Sequence, residues 1–172
     1  MRRFDLRSLT FDRSDQAACR LPVELDSFVF GGERYAVPGD RVDLSLEASR
    51  VGRKLVLQGA FSTCIHGACA RCLQDVDLDL EVSGAEYVAD GESQGVEEAE
   101  EAYVRGYQLQ ADRWARDLLA DALPAQLLCR EDCRGLCPTC GKNLNTGACG
   151  CPPPEEPEDP RLTPLRGLID KK

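Results

Sequence analysis

The chain has one histidine, one methionine and one tryptophan in 172 residues. No apolar run approaches the ~20 residues that a membrane helix requires. A single histidine gives Ser–His or Cys–His catalytic pairs almost no choice of partner, and no glycine-rich phosphate loop follows a strand-like segment. The sequence therefore predicts a protein that is not an enzyme and takes no small-molecule substrate. Behind Met1-Arg2-Arg3 there is no apolar stretch of the kind that directs secretion, so a cytoplasmic protein with no membrane partner is expected. A basic run is also missing. Lys and Arg are absent from Leu73 to Val104, where eleven acids fall, and the whole chain carries a net charge of −9. Elsewhere nineteen acids face twenty-one bases, so a surface that meets RNA stays possible without being announced.

What the chain has in quantity is cysteine, ten in all. In a reducing compartment, clustered thiols serve as metal ligands or redox groups more often than as structural disulfides. Six of them lie between Cys129 and Cys151, spaced C-x3-C-x3-C-x2-C-x8-C-x-C. This segment is too short and too poor in bulky apolar residues to fold by burial, and Zn²⁺ bound by four thiolates would supply the missing cohesion. Cys137-Pro138-Thr139-Cys140-Gly141 reads as a zinc knuckle, with proline fixing φ and Gly141 freeing the backbone to curl under the ion. The preferred ligand set for a structural Zn²⁺ is Cys137, Cys140, Cys149 and Cys151. Because C-x-C is a tight bite, Cys129 and Cys133 compete as the second pair or stand as spare thiols. Arg130, Arg134 and Lys142 ride on the same segment. They are candidates for a preorganised contact with phosphate or a partner surface, or else only offset the charge of four thiolates.

A second group, Cys64, Cys69 and Cys72, sits at a strand-to-strand connection. Cys69-Ala70-Arg71-Cys72 can be a second zinc knuckle joined by Cys129 and Cys133, a buried thiol pair, or a redox pair. The last is the weakest reading, since Arg71 is the only local cation and no helix follows. His66 reads as a solvated loop residue and Cys19 as a packing residue.

Period-two alternation marks strands at Leu21–Leu25, Val42–Leu46, Leu55–Phe61 and Leu73–Val82, with turns at Gly31-Gly32, Pro38-Gly39-Asp40 and Gly52. In the Leu73–Val82 strand, Val76, Leu78, Leu80 and Val82 face inward and Asp75, Asp77, Asp79 and Glu81 face water. Gly84 is expected to end it, with Ala85–Val88 again extended. Residues 1–18 read as a first strand or a mobile arm, 89–101 as a mobile acidic loop, and Tyr103–Leu109 as extended. One helix is expected at Asp112–Leu123, capped by Asp112, stopped by Pro124, and packing Trp114, Leu118, Leu119 and Ala122 on the core. The fold class is α+β: a mainly antiparallel β-sheet or partly open barrel with one packed helix and a C-terminal zinc-knuckle segment. Three parts are expected: a β-rich domain at 1–128, the cysteine-rich segment at 129–151, and at 152–172 a proline-rich acidic spacer with a short helix.

Taken together, Cys69-x-x-Cys72-Leu73, the helix ending in Leu-Pro, Cys129-x3-Cys133-Arg134-Gly135-Leu136-Cys137-Pro138-x-Cys140-Gly141-x-Asn143-Leu144-Asn145, Cys149-x-Cys151 and Asp159-Pro160-Arg161-Leu162 resemble the YceD-like family across residues from about 20 to 170. This is the bacterial and plastid family named for accumulation of large ribosomal RNA. The resemblance implies a cytoplasmic, non-catalytic factor in ribosome assembly. Its partner would be a ribosomal RNA precursor or a large-subunit ribosomal protein. The other reading is a redox-responsive zinc/thiol protein that acts as an interaction adaptor and loses its metal on oxidation.

Overall fold

In the computed structural model, residues 3–30, 32–52, 54–89 and 103–152 are described. In chain order the strands are β1 (Arg3–Asp5), β2 (Gln16–Glu24), β3 (Phe28–Phe30), β4 (Glu33–Tyr35), β5 (Arg41–Val51), β6 (Lys54–Ala68), β7 (Asp75–Ala89), β8 (Val104–Arg105) and β9 (Gln108–Gln110), followed by the helix α1 (Ala111–Ala122). Every strand pair is antiparallel. The main sheet runs β2-β5-β6-β7, a small one runs β1-β9-β8, and β3 pairs with β4. None of these sheets closes on itself, so the architecture is the open antiparallel one and not a barrel.

Alternation puts one face of the main sheet in the core. Val42, Leu44, Leu46 and Ala48 of β5 are buried, as are Leu57, Phe61 and Ile65 of β6. The helix covers that face with Trp114, Ala115 and Leu119, all essentially inaccessible to water. Gly59 and Gly84 are register partners across β6 and β7 and together form the notch in which it sits. A Cβ on Gly59 would lie 2.8 Å from the Trp114 ring, and one on Gly84 would collide with Leu118. Gly84 therefore does not end its strand, as its residue type suggested. It is an interior position where a neighbouring side chain takes the space of the missing Cβ, and β7 continues to Ala89.

Of the two readings of residues 1–18 the strand holds, because Arg3–Asp5 form β1 and pair with β9. Three other expectations change. β2 begins at Gln16, ahead of the alternation at Leu21. Tyr103–Leu109 contains the β8–β9 hairpin in place of one extended run. The helix starts directly from β9, with Gln110 as its N-cap and no side-chain capping bond, so Asp112 lies in the first turn instead of capping it. The acidic loop beyond Ala89 and the spacer and helix expected at 152–172 lie outside the described residues apart from Pro152.

The outer face of β7 carries Asp75, Asp77, Asp79 and Glu81, all exposed. His66 on β6 donates or accepts at Nδ1, 2.7 Å from the Asp77 carboxylate opposite it. No helix among the described residues is long and apolar enough to cross a membrane.

Candidate metal centres

The turn between β6 and β7 is drawn tight by two backbone bonds, Cys69 N to Gln74 O (2.8 Å) and Leu73 N to Cys69 O (2.9 Å), with Leu73 at φ +60°. It presents Cys69 and Cys72 on the same side. After α1 the chain crosses back to this hairpin. The Ala70 amide donates to the Leu127 carbonyl (2.8 Å), and the buried Leu127 side chain fills the place where a Cβ on Gly67 would stand. That docking delivers Cys129 and Cys133 to the turn. The four sulfurs of Cys69, Cys72, Cys129 and Cys133 lie within 4.8 Å of one another. Cys69 and Cys133 are 3.8 Å apart and Cys72 and Cys129 are 3.6 Å apart, Sγ to Sγ. Four thiolates at ~2.3 Å from one Zn²⁺ would define a tetrahedron with edges of ~3.8 Å. The spacing thus suits one ion. Three of the four sulfurs are buried, with Val76, Leu128 and Leu136 packed against them, while Cys129 is exposed.

Backbone contacts of Arg71 and its neighbours close this junction further. The Arg71 Nη1 donates to the Cys133 carbonyl (3.0 Å) and the Glu131 carbonyl (3.3 Å), and the Arg71 carbonyl accepts from Leu136 N (3.2 Å).

The second tetrad is Cys137, Cys140, Cys149 and Cys151, also with all sulfurs within 4.8 Å. The Gly141 amide donates to Cys137 O (2.8 Å) and the Cys137 amide to Lys142 O (2.9 Å), which curls the knuckle. The loop that follows returns by way of a Leu136–Asn143 bridge, a Leu144 N to Gly135 O bond (2.9 Å) and a bond from Lys142 Nζ to Ala148 O (3.0 Å). Two groups of four thiols are therefore arranged so that each could hold a metal ion. The first lies at the sheet and the second toward the C-terminal end of the described chain.

The electrostatics fit cation binding. Burial raises the Cys69 thiol, but the backbone amides of Cys129, Cys72 and Arg71 outweigh it and bring the group down to about 6. The amides of Cys140 and Thr139 likewise bring Cys137 to about 6. Cys133 is lowered chiefly by the Asn145 side chain, whose Nδ2 donates to its sulfur at 3.3 Å. In the same tetrads the opposite end goes up to about 12, at Cys129 through desolvation of its sulfur against the neighbouring thiols and its bonds to them, and at Cys151 through Cys140 and Cys149. Four thiols in contact cannot all ionise without a cation among them, so the first protons leave easily and the last are held.

Each residue singled out in the sequence now has a place. Cys137, Cys140, Cys149 and Cys151 converge, whereas Cys129 and Cys133 join Cys69 and Cys72 and not the knuckle. Cys64 stands on β6 opposite Asp79, and Cys19 packs half-buried on the core. The cations divide. Arg130 is tied to Asp132 (3.2 Å) and to Asn145 Oδ1 (2.8 Å), and Lys142 to Ala148, while the Arg134 side chain makes no hydrogen bond or ion pair among the described residues. Asn145 carried no role in the sequence reading. Its signal was only its place in the Asn-Leu-Asn run, and its side-chain contacts are with residues ten or more positions away.

Comparison with known proteins follows the same residues. Over 109 residues the chain is 32% identical to an uncharacterised protein of Mycobacterium bovis and, equally, to uncharacterised proteins of two Mycobacterium tuberculosis strains. The matched stretch is 62% of this chain and 53% of each relative, so the chain spans about half the length of the curated relatives it matches. No solved structure matches. The sequence model of the YceD family, described as large ribosomal RNA subunit accumulation proteins, matches residues 57–169, which run from β6 through both cysteine tetrads, and the chain belongs to that family.

Proposed function

We propose that this protein is a cytoplasmic, non-catalytic factor that supports accumulation of large-subunit ribosomal RNA and ribosome assembly, with structural Zn²⁺ held by Cys137, Cys140, Cys149 and Cys151. Its partner is a ribosomal RNA precursor or a large-subunit ribosomal protein. The observation that carries this reading is the coincidence of the family match with the thiol tetrads, because the matched span contains all eight clustered cysteines. A tetrathiolate ion stiffens the loops that carry Arg130, Arg134 and Lys142 and so presents them with little entropy lost on binding. Zinc suits the donor set because it accepts four thiolates tetrahedrally and does no redox chemistry of its own. The three parts at 1–128, 129–151 and 152–172 are then a β-rich body, a metal-stapled contact segment and a tail.

Depletion of the protein tests this reading, with precursor and mature large-subunit ribosomal RNA measured against small-subunit RNA. The tagged protein is followed through a gradient, and its crosslinks are mapped. Selective loss of large-subunit RNA, with crosslinks to a pre-large-subunit particle, is the expected result. Unchanged large-subunit RNA together with no co-sedimentation would sink the proposal.

A further inference from the structure

One side chain from the loop of the second tetrad hydrogen-bonds a sulfur of the first. Asn145 belongs to the loop 141–148, which the cysteines of the second tetrad close on themselves, yet its side chain reaches the first tetrad. Its Oδ1 accepts from the Arg134 amide (2.8 Å) and from Arg130 Nη2 (2.8 Å), and its Nδ2 donates to Cys133 Sγ (3.3 Å). The amide orientation follows from its partners, since two N–H donors require the oxygen and a sulfur ligand is served by the NH₂. Its own backbone amide is held by Asn143 Oδ1 (2.9 Å), so the reach is set by the loop.

We infer that Cys69, Cys72, Cys129 and Cys133 form a second tetrathiolate zinc site, and that the knuckle site governs how firmly this inner ion is held by positioning Asn145 on the Cys133 sulfur. The inner ion then welds the β6–β7 turn to the cysteine-rich segment, and the outer ion acts as the latch on that weld. This rests on the zinc reading of the outer tetrad given above. A site of four thiolates and one Zn²⁺ carries two net negative charges, and a donor aimed at one sulfur spreads that charge and orients the ligand. The loop that supplies the donor contains no helix or strand and little apolar surface, so it keeps its shape through its metal. Removing the outer ion therefore removes the donor. Loss of a hydrogen bond to a metal ligand lowers metal affinity by ~10–100-fold. By linkage, loss of the inner ion weakens the outer one by the same factor.

The full chain, purified under reducing conditions, is assayed for Zn²⁺ and Fe content by mass spectrometry and then titrated with a chromogenic zinc chelator. The wild type, Cys72→Ser, Cys140→Ser, Asn145→Ala and Asn145→Asp are compared. The expectation is two Zn²⁺ in the wild type and one in each cysteine variant. Asn145→Ala should keep two ions, with one of them yielded to the chelator ~10–100-fold more readily. The ion left in Cys140→Ser should be weakened like that one, and Asn145→Asp, which keeps the acceptor but adds charge beside the thiolates, should weaken it at least as much. One ion in the wild type, or wild-type affinity of the inner ion in both Cys140→Ser and Asn145→Ala, overturns the inference. No zinc, or iron in its place, overturns the zinc reading itself and is seen before any variant is compared. If Cys140→Ser does not fold, Asn145→Ala decides alone, because it leaves all eight ligand thiols in place.

Discussion

Gly135 is where a single methyl group should do most damage to the junction between the cysteine-rich segment and the sheet. It sits between Cys133 and Cys137 at φ +72°, a left-handed conformation that costs an L-residue ~1–2 kcal/mol. An added Cβ would lie 3.0 Å from the Arg71 carbonyl oxygen and 3.5 Å from the Arg71 Cβ. That carbonyl is backbone and already accepts from Leu136 N at 3.2 Å, so it cannot swing aside without weakening a bond worth ~0.5–1.5 kcal/mol. Gly135→Ala should therefore cost about 2–3 kcal/mol, and since a metal ion bound at Cys69, Cys72, Cys129 and Cys133 would share its free energy with local folding, the cost should appear as a ~30–150-fold loss in affinity for Zn²⁺ added to that tetrad. Gly141→Ala is the control. Its φ is +71° but a Cβ there meets nothing within 4 Å, so only the ~1–2 kcal/mol conformational cost applies. Chelator competition gives the affinities, and hydrogen exchange at the Leu136 amide reports the junction without any metal probe. Equal losses from the two alanines, or normal protection of Leu136 in Gly135→Ala, would refute the reasoning.

Four further outcomes are expected. Trp114→Ala should lower stability by about 3–5 kcal/mol, since the ring is fully buried in the Gly59–Gly84 notch, and a urea midpoint within error of wild type would contradict that placement. His66 should titrate above its ordinary 6.5 because the Asp77 carboxylate bonds its ring, and Asp77→Asn should bring the single histidine NMR midpoint back down. The folded-state value is raised, so the pair's stabilisation is fully present below 6.5 and fades as pH rises through the folded value. The stability gap between wild type and Asp77→Asn should thus be seen below pH 6.5 and shrink as the pH rises through the folded value. Asp75→Asn with Asp79→Asn should leave ribosomal association intact, because a row of carboxylates on β7 repels phosphate; lost association would point to a basic protein docking there. Arg134→Ala should make the salt dependence of RNA association shallower by ~0.9 in log–log slope, or ~0.7 on a single strand, while an unchanged slope would show that Arg134 meets no phosphate.

How much of this could be read from the chain depends on the range over which each feature is encoded. Alternation in Val42–Leu46 and Val76–Val82 specifies strands with one buried face because the period of two is a property of the residues themselves. The bonds that curl the Cys137–Cys140 knuckle likewise span a few residues, so residue type and spacing suffice. The resemblance to the family rested on such local strings, and the family match includes them. Long-range partners were another matter. That Cys69 and Cys72 meet Cys129 and Cys133 follows from the register of β6 on β7 and from Leu127 docking under Gly67, neither of which leaves a mark in the spacing of the cysteines. The sequence reading held that grouping only as one alternative. Gly84 looked like a strand end because its conformational permissiveness is local, whereas its use as a notch for Leu118 exists only once α1 lies on the sheet. The helix start shows the same thing: Asp112 has the right residue type for a cap, but the chain enters α1 directly from β9 and the cap falls at Gln110. The alternation pattern of a sheet does not say whether it closes, and only the strand pairing, with β2 and β7 as the two edges of the main sheet, shows that it stays open. Residue chemistry thus determined the elements and the kind of site. Which thiols share a site, and that Asn145 ties one site to the other, was decided by contacts that only the folded chain makes.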